Sequence, residues 1–417
     1  MTKNRPVFLL AVAAAAAAAA SGTQAQSSNV EIYGIADAGV NRISGVNGAR
    51  NALVSGIMEG SRLGFKGGED LGGGWRAMFL LEHRLELDTG SISNRPLSGS
   101  QVPDRLNTAS LLSLPGALQP VVNSVAATLG SQIGVNLANK FWDRQAFVGM
   151  VTPVGAVLLG RQYTPGYEIA AAFDTMGTQS ALASGQIGTF PPTIDIRIDN
   201  ALSYRIQQGP FSAAAMISAH EGSTSTGSLR GINVLYKGEA FSAGLGYNTR
   251  ENELGQQSLT TTVIGASLKA GPGTVFTTYG NVKDDHPTGL STLTGLLIAG
   301  GVPAPAASAV QNAYVNGLKQ DSRLWHMGYR TTTGPHTFYV AYTSLNDHTA
   351  SDADVASYGV AYTYSFSKRT DLNFVVARFD NKNLAQAAPG QAGMLGGVTS
   401  SAGTDATSVS FGVRHRF

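Results

Sequence analysis

Three arginines occupy corresponding places in strand-like segments of this chain. Arg62, Arg144 and Arg197 are each out of phase with the apolar residues of their segment, so each belongs to the face opposite the apolar one. Guanidinium groups remain charged, and rings of charged side chains are a recurrent device for selecting solutes by their sign. We therefore expect the three arginines to converge on a narrow passage. The alternative is that they only pair with wall acids such as Glu82.

The elements that position such residues must be strands with one apolar and one polar face. Residues 405–417 alternate at period two, and 74–88 place Glu82 and Arg84 on the face opposite Phe79 and Leu81. Soluble sandwiches rarely turn rows of Arg and Glu inward. A barrel with a water-filled interior does so readily. The alternation therefore favours a barrel whose apolar face contacts lipid.

The connections between the strand-like segments strengthen this interpretation. Seven short Gly- or Pro-bearing turns alternate with eight long connections, which predicts sixteen strands. Short periplasmic turns that alternate with long external loops are typical of outer-membrane barrels. The sequence thus predicts an all-β, 16-stranded antiparallel transmembrane β-barrel over residues 26–417.

The third long connection, 164–195, separates two predicted strands, of which the second is expected to begin at Ile194. A connection this long inside a β-rich chain is uncommon and is usually functional. We expect it to fold inward and narrow a pore. Two other long connections, 89–140 and 284–321, contain helical spacing at 117–137 and 304–318. We interpret them as packed external insertions, and a vestibule or a subunit contact is the alternative.

The N-terminus and the composition indicate an exported protein. Residues 1–25 combine Lys3 and Arg5 with an apolar run and a small-residue cleavage site, which predicts a signal peptide and disfavours a membrane anchor. Without these two side chains, 27 basic residues balance 27 acidic ones, so the mature chain offers no charge excess for nucleic acid. The chain contains no cysteine, which fits passage through an oxidising periplasm without disulfides.

Signatures of catalysis are weak. The seven histidines are scattered, and the sequence contains no zinc-protease helix motif, phosphate-binding loop or nucleophile elbow. No cofactor is predicted. A barrel enzyme and an adhesin remain alternatives from other classes. Within transport, the alternative is a substrate-specific channel in which Trp142 and Tyr163 line the solute path.

Several motifs resemble those of the Gram-negative general porins, particularly the trimeric kind of β-proteobacteria. They are VEIYG at 30–34, SRLGFKG at 61–67, EDLGGG at 69–74, RQAFVG at 144–149, GRQY at 160–163 and the terminal Phe417. The resemblance covers most of the chain after the signal segment. It implies a sixteen-stranded barrel that forms homotrimers in the outer membrane, in contact with lipid and lipopolysaccharide, with the third loop inserted as an eyelet.

The resemblance also assigns residues to roles. It implies that Arg62, Arg144 and Arg197 form the basic side of the eyelet and that Asp174 is an acid on the inserted loop. Phe417 is similar to the family's signal for the outer-membrane assembly machinery.

The chain departs from the family at the inserted loop. It lacks the PEFGG segment of enteric members, and Thr178 falls about where a second loop acid would be. With Arg84 as a possible fourth arginine and Glu82 acting against it, the balance predicts a mild preference for anions. The expected function is therefore a passive, water-filled channel for small hydrophilic solutes and ions.

Overall fold

The computed structural model describes residues 28–47, 51–187, 190–220, 227–390 and 397–417. The predicted signal segment, 1–25, lies outside these residues, as do the first two residues of the range predicted for the barrel. Within the described ranges, strands form one continuous sheet, and the helices are confined to connections.

The sheet contains seventeen strand segments, and each pairs antiparallel with its neighbours. In chain order they are β1 (Ser28–Ser44), β2 (Asn51–Ser55), β3 (Arg62–Gly72), β4 (Trp75–Arg84), β5 (Gln145–Thr152), β6 (Gly155–Tyr163), β7 (Arg197–Gln208), β8 (Phe211–Ser218), β9 (Leu229–Lys237), β10 (Phe241–Glu251), β11 (Gln257–Ala270), β12 (Gly273–Asp284), β13 (Gln320–Thr333), β14 (His336–Asp347), β15 (Val355–Ser365), β16 (Thr370–Asn381) and β17 (Ala406–Arg416).

Two of these segments share one place in the sheet. The upper part of β1, 38–42, pairs with β2, and its lower part, 28–35, pairs with β3, so β2 and β3 form one interrupted strand. On its other edge β1 pairs with β17, which closes the sheet into a cylinder. The described strands therefore occupy sixteen positions around a closed barrel. This confirms the predicted fold class.

The barrel is apolar outside and polar inside. On β17, Val409, Phe411 and Val413 are exposed, whereas Ser408 and Arg414 are buried. Closure leaves no unpaired sheet edge, and in lipid only a closed barrel or a helix satisfies every backbone hydrogen bond. The alternation read from the sequence thus separates a lipid-facing surface from the lumen.

The connections confirm the predicted alternation of seven short turns and eight long loops among the described strands. Three of the turns are Gly-Pro pairs, in which Gly209, Gly271 and Gly334 each have a φ of +57°. A two-residue hairpin turn with glycine in its first central position requires this left-handed conformation. Some boundaries differ from those predicted. For example, the second long loop covers 85–144 instead of 89–140, and β7 begins at Arg197 instead of Ile194.

In the described parts of the long loops there are five α-helices: α1 (Asp104–Asn107), α2 (Gln119–Ser131), α3 (Pro165–Phe173), α4 (Leu293–Ala299) and α5 (Ala304–Gly317). The helical spacing predicted at 117–137 and 304–318 corresponds to α2 and α5. Among the described residues, no helix has the length and apolar character needed to cross a membrane.

The third long loop, 164–196, enters the barrel. Its helix α3 begins at Pro165 after Thr164, whose side chain caps the helix by accepting a hydrogen bond from the Tyr167 amide. The helix packs against β9, β10 and β11, where Gly244 and Gly265 leave room for Phe173. Inward-facing glycines on adjacent strands therefore provide the space into which the loop folds.

The rest of the loop continues along the inner wall. The amide of Thr175 donates to Nε2 of His326 on β13 (3.1 Å). Beyond it, Met176 and Leu182 pack against Ala341 and Ala377 of β14 and β16. The loop thus covers the wall from β9 to β16 and leaves the wall from β3 to β7 facing the passage.

Candidate functional site

The three predicted arginines lie on or next to β3, β5 and β7, which are alternate strands of one wall sector. Arg62 is the first residue of β3, Arg144 directly precedes β5, and Arg197 is the first residue of β7. Glu82 on β4 lies between the first two, and Tyr163 ends β6 opposite Arg197 in the strand register. Because these strands are adjacent and the residues share the lumen phase, the side chains meet, as the sequence predicts.

Glu82 is the carboxylate at the centre of this arrangement. It accepts a hydrogen bond from Nε of Arg144 (2.5 Å) and another from the hydroxyl of Tyr33 (3.0 Å). Nη1 of Arg62 lies 4.0 Å from the same carboxylate. One carboxylate therefore contacts two arginines, and a third arginine is joined through a tyrosine.

That tyrosine is Tyr163, whose hydroxyl accepts hydrogen bonds from Nη2 of Arg144 (3.0 Å) and from Nη2 of Arg197 (3.1 Å). The guanidinium of Arg197 also lies 4.7 Å from the centre of the Tyr163 ring, which is a cation–π contact. The ring stacks on Tyr167 of α3. Tyr163 thus links the arginine wall to the inserted loop, a role that the sequence analysis did not assign to it.

Arg84 lies beside the wall arginines, but its charge is compensated. Its Nε donates to Asp143 (3.2 Å) and its Nη1 donates to Glu86 (3.1 Å). Its backbone amide donates to the other oxygen of Asp143 (2.8 Å). With two carboxylates in contact, Arg84 adds no excess positive charge to the site.

A larger network extends from Arg62 toward the C-terminal strand. Glu59 lies 3.5 Å from Arg62 and also binds Arg414 and Arg416 of β17, and both of these arginines bind Asp371. The network joins five arginines to three carboxylates, which are Glu59, Glu82 and Asp371. Four of the arginines contact a carboxylate, and the fifth, Arg197, is joined through Tyr163. The wall therefore has more positive than negative charge.

The loop at 164–196 contains three acids, and each is engaged outside the arginine wall. Glu168 accepts from Arg205 (2.7 Å) and from Asn233 (2.9 Å). Asp195 accepts from Arg250 (2.9 Å). These two carboxylates attach the ends of the loop to the barrel.

Asp174 is on the inserted loop, but its carboxylate has its partners within the loop itself. Its carboxylate is buried in the loop and accepts hydrogen bonds from the Met176 amide (2.7 Å), the Ser184 hydroxyl (2.5 Å) and the Ser184 amide. None of its described hydrogen bonds or ion pairs involves a wall arginine. Asp174 therefore folds the loop onto itself, and Thr178, at the expected place of a second acid, hydrogen-bonds Tyr167 (2.9 Å).

Within the described part of the chain, two buried nitrogen atoms of the wall arginines have no hydrogen-bond partner. They are Nη2 of Arg62, which lies 3.5 Å from Glu59, and Nε of Arg197. Buried donors without a partner are uncommon, because desolvating them is costly. The described residues contain no group of three or more His, Asp or Glu side chains that could hold a metal ion.

Trp142 does not line the lumen beside Tyr163. Its ring contacts Phe65, His83 and Phe141, and Phe65 faces outward on β3. The alternative of a substrate-specific channel lined by both aromatic residues therefore loses one of its two residues.

The sequence also matches a known family with which this barrel, its inserted loop and its polar interior agree. A model of the Gram-negative porin family matches residues 11–384 of the chain. The chain belongs to the Gram-negative porin family. It is thus an outer-membrane β-barrel that crosses the membrane with its strands and forms a channel.

Solved structures support the porin fold. The chain is similar to the anion-selective porin from Comamonas acidovorans, with a TM-score of 0.67 and 21% identity over 94% of this chain and 100% of that one. It is also similar to the trimer form of OmpT from Vibrio cholerae (TM-score 0.58, 13% identity, 94% and 100% covered). OmpF of Salmonella typhi in complex with daunomycin gives a TM-score of 0.55 at 13% identity, with 93% and 97% covered. No curated protein matches the chain.

Proposed function

We propose that this porin is a passive, non-enzymatic diffusion channel for small hydrophilic solutes that prefers anions. The observation that carries the proposal is the unequal use of charge at the constriction. Each acid of the inserted loop has partners away from the arginine wall, and the wall itself has five arginines for three carboxylates. A solute in the passage therefore meets uncompensated positive charge.

The physical basis is electrostatic. A narrow passage with low-dielectric walls focuses the field of its charges and raises the local concentration of counter-ions. The excess is only two charges in the network, and Glu82 lies at its centre, so the preference should be mild. The similar porin from Comamonas acidovorans is described as anion-selective, which supports the same sign here.

The assembly that we propose is a homotrimer. Large apolar side chains are exposed around the outside of the barrel, and a contiguous apolar surface of this kind requires lipid or a protein partner. OmpT, one of the similar proteins, has a trimer form. Lipid and lipopolysaccharide would cover the remaining surface.

Phe417 is the residue that we propose for recognition by the outer-membrane assembly machinery. Its amide donates to the Gly34 carbonyl (3.1 Å), and its carbonyl accepts from the Gly34 amide (3.0 Å), so it completes the seam between β17 and β1. Its side chain is half exposed. The terminal aromatic ring is therefore accessible at the edge where the barrel closes.

Replacing the three wall arginines tests the proposed selectivity. In planar bilayers under a KCl gradient, the triple variant Arg62→Ser, Arg144→Ser, Arg197→Ser should lose the anion preference, because Glu82 then becomes the dominant local charge. Arg378→Ser is the matched control, since Arg378 lies on the outer face with Asp380 and Asp405. An unchanged reversal potential in the triple variant would refute the role of the wall.

A further inference from the structure

Two external loops that leave opposite sides of the barrel meet above it. The second long loop, 85–144, joins β4 to β5, which are the third and fourth positions of the barrel. The sixth long loop, 285–319, joins β12 to β13, which are the eleventh and twelfth positions. Half of the sixteen positions separate the two loops, so a contact between them must cross the mouth.

The contact is a hydrophobic core that both loops share. Leu106 and Val122 come from one loop, and Val310 and Tyr314 come from the other, and all four are fully buried. The hydroxyl of Tyr314 donates to the carbonyls of Leu106 (2.9 Å) and Val122 (3.0 Å). Burial of these apolar side chains holds the two loops together. We call the joined segments, 104–133 and 290–318, the helical roof.

The helical roof is also attached to other loops. The guanidinium of Arg105 donates to the carbonyl of Gly317 (2.8 Å) and to that of Phe190 in the constriction loop (3.1 Å). The carboxylate of Asp104 accepts from the amide of Ala402 in the last long loop (2.9 Å). The roof is therefore held across the mouth and is also attached to two further loops, at Phe190 and at Ala402.

The roof differs from the constriction in its charge. Residues 106–139 and 287–318 contain no Asp, Glu, Lys, Arg or His. Apart from Asp104 and Arg105, which carry opposite charges and attach it to neighbouring loops, the roof is uncharged, so it does not distinguish solutes by their sign. It excludes volume, and it leaves only the space beside it for a solute to pass.

We propose that the helical roof is a separate size filter on the external side, placed before the charge-selective constriction. Solutes from outside pass around the roof before they reach the arginine wall, whereas solutes from the periplasmic side reach the wall directly. This inference rests on the proposed function only in taking the barrel as an open channel. The two filters are distinct, because one acts by volume and the other by charge.

The experiment measures access of neutral polyethylene glycols of increasing mass, added to one side of a planar bilayer at a time. Single-channel conductance falls when a polymer enters the channel and stays unchanged when the polymer is excluded. For the native protein, the largest polymer that enters from the external side should be smaller than the largest that enters from the periplasmic side. Equal limits from the two sides would overturn the proposal.

Two variants open the roof. Leu106→Asp places a charge in its fully buried core, and replacement of 290–317 by a short Gly-Ser linker removes one of its halves. Both should raise the external limit to the periplasmic one, with no shift of the reversal potential in a KCl gradient. The matched control is Leu254→Asp, the same change at an exposed residue of a neighbouring external loop.

The results separate the two proposals. If folded channels of both opened variants keep the external limit of the native protein, the roof is not a filter, whatever the ion preference proves to be. If the reversal potential of the native protein shows no anion preference while the difference between the two sides persists, the charge assignment fails and the roof remains. A shift of the reversal potential on opening would contradict a neutral filter.

Discussion

On the barrel wall, Arg62 and Arg144 contact the central carboxylate of Glu82 and Arg197 is joined to them only through Tyr163, whereas each acid of the inserted loop has partners of its own. The wall is built from adjacent strands whose register brings like charges together. The loop is built from a helix and turns that need its carboxylates for their own folding and attachment. The comparison teaches that counting acids and bases near a constriction does not give its selectivity, because the position and the partners of each charge decide how strongly it acts on a passing solute.

The largest effect is expected from removing the carboxylate that folds the loop. In Asp174→Ala, the Met176 amide, the Ser184 amide and the Ser184 hydroxyl lose their acceptor, and each buried donor left unsatisfied costs about 1–3 kcal/mol. We expect a disordered loop, with larger and noisier single-channel conductance. Asp174→Asn keeps one acceptor oxygen and should give an intermediate result. A native conductance in Asp174→Ala would contradict the structural role.

A second test of the difference between wall and loop is to fill the space in the barrel that the inserted loop occupies. A Cβ at Gly265 would overlap the ring of Phe173, whereas a Cβ at Gly280, also on the lumen face, would meet Leu324 at an ordinary 3.5 Å. Gly265→Ala should displace α3, since overpacking of this kind costs about 1–3 kcal/mol. Limited proteolysis and conductance should detect the displacement in Gly265→Ala and not in the control Gly280→Ala. Equal behaviour of the two variants would show that the loop is not held there.

A third test neutralises the central carboxylate, Glu82, and leaves the inserted loop in place. Glu82→Gln keeps an acceptor for Arg144 and removes the negative charge between Arg144 and Arg62. The reversal potential in a KCl gradient should shift toward stronger anion preference, because the excess of positive charge at the wall grows by one. A shift toward cations would mean that the arginines do not face the passage.

The smallest effect is expected at the loop itself. Glu168→Gln removes the charge that compensates Arg205, and both side chains are partly exposed, so solvent and salt screen the change. We expect a shift of the reversal potential in the same direction as in Glu82→Gln, but smaller. A shift as large as that of Glu82→Gln would indicate that the loop acid takes part in selectivity.

The barrel and its arginine wall could be predicted because both depend on local pattern. Period-two alternation and the Gly-Pro turns specify strands and their connections, and the lumen phase of Arg62, Arg144 and Arg197 follows from the apolar residues next to them. The wall sector follows as well, since consecutive strands of a barrel are neighbours. These features require no knowledge of distant contacts.

The loop acid and the roof could not be predicted in the same way. The environment of Asp174 depends on a return of the chain to Ser184, ten residues later, and loop acids that look alike in sequence differ only in such contacts. The role of Tyr163 depends on the register between β6 and β7. The roof depends on two loops that are far apart in the chain and lie on opposite sides of the barrel, so no local pattern records that they pack together.

The reversal potential of the native protein tests the central claim most directly. Purified, folded channels in a planar bilayer under a KCl gradient should reverse at a potential of the sign set by chloride. Its magnitude should fall as the ionic strength is raised, because salt screens the wall arginines. A reversal potential of the sign set by potassium would contradict the claim that the inserted loop leaves the positive charge of the wall uncompensated.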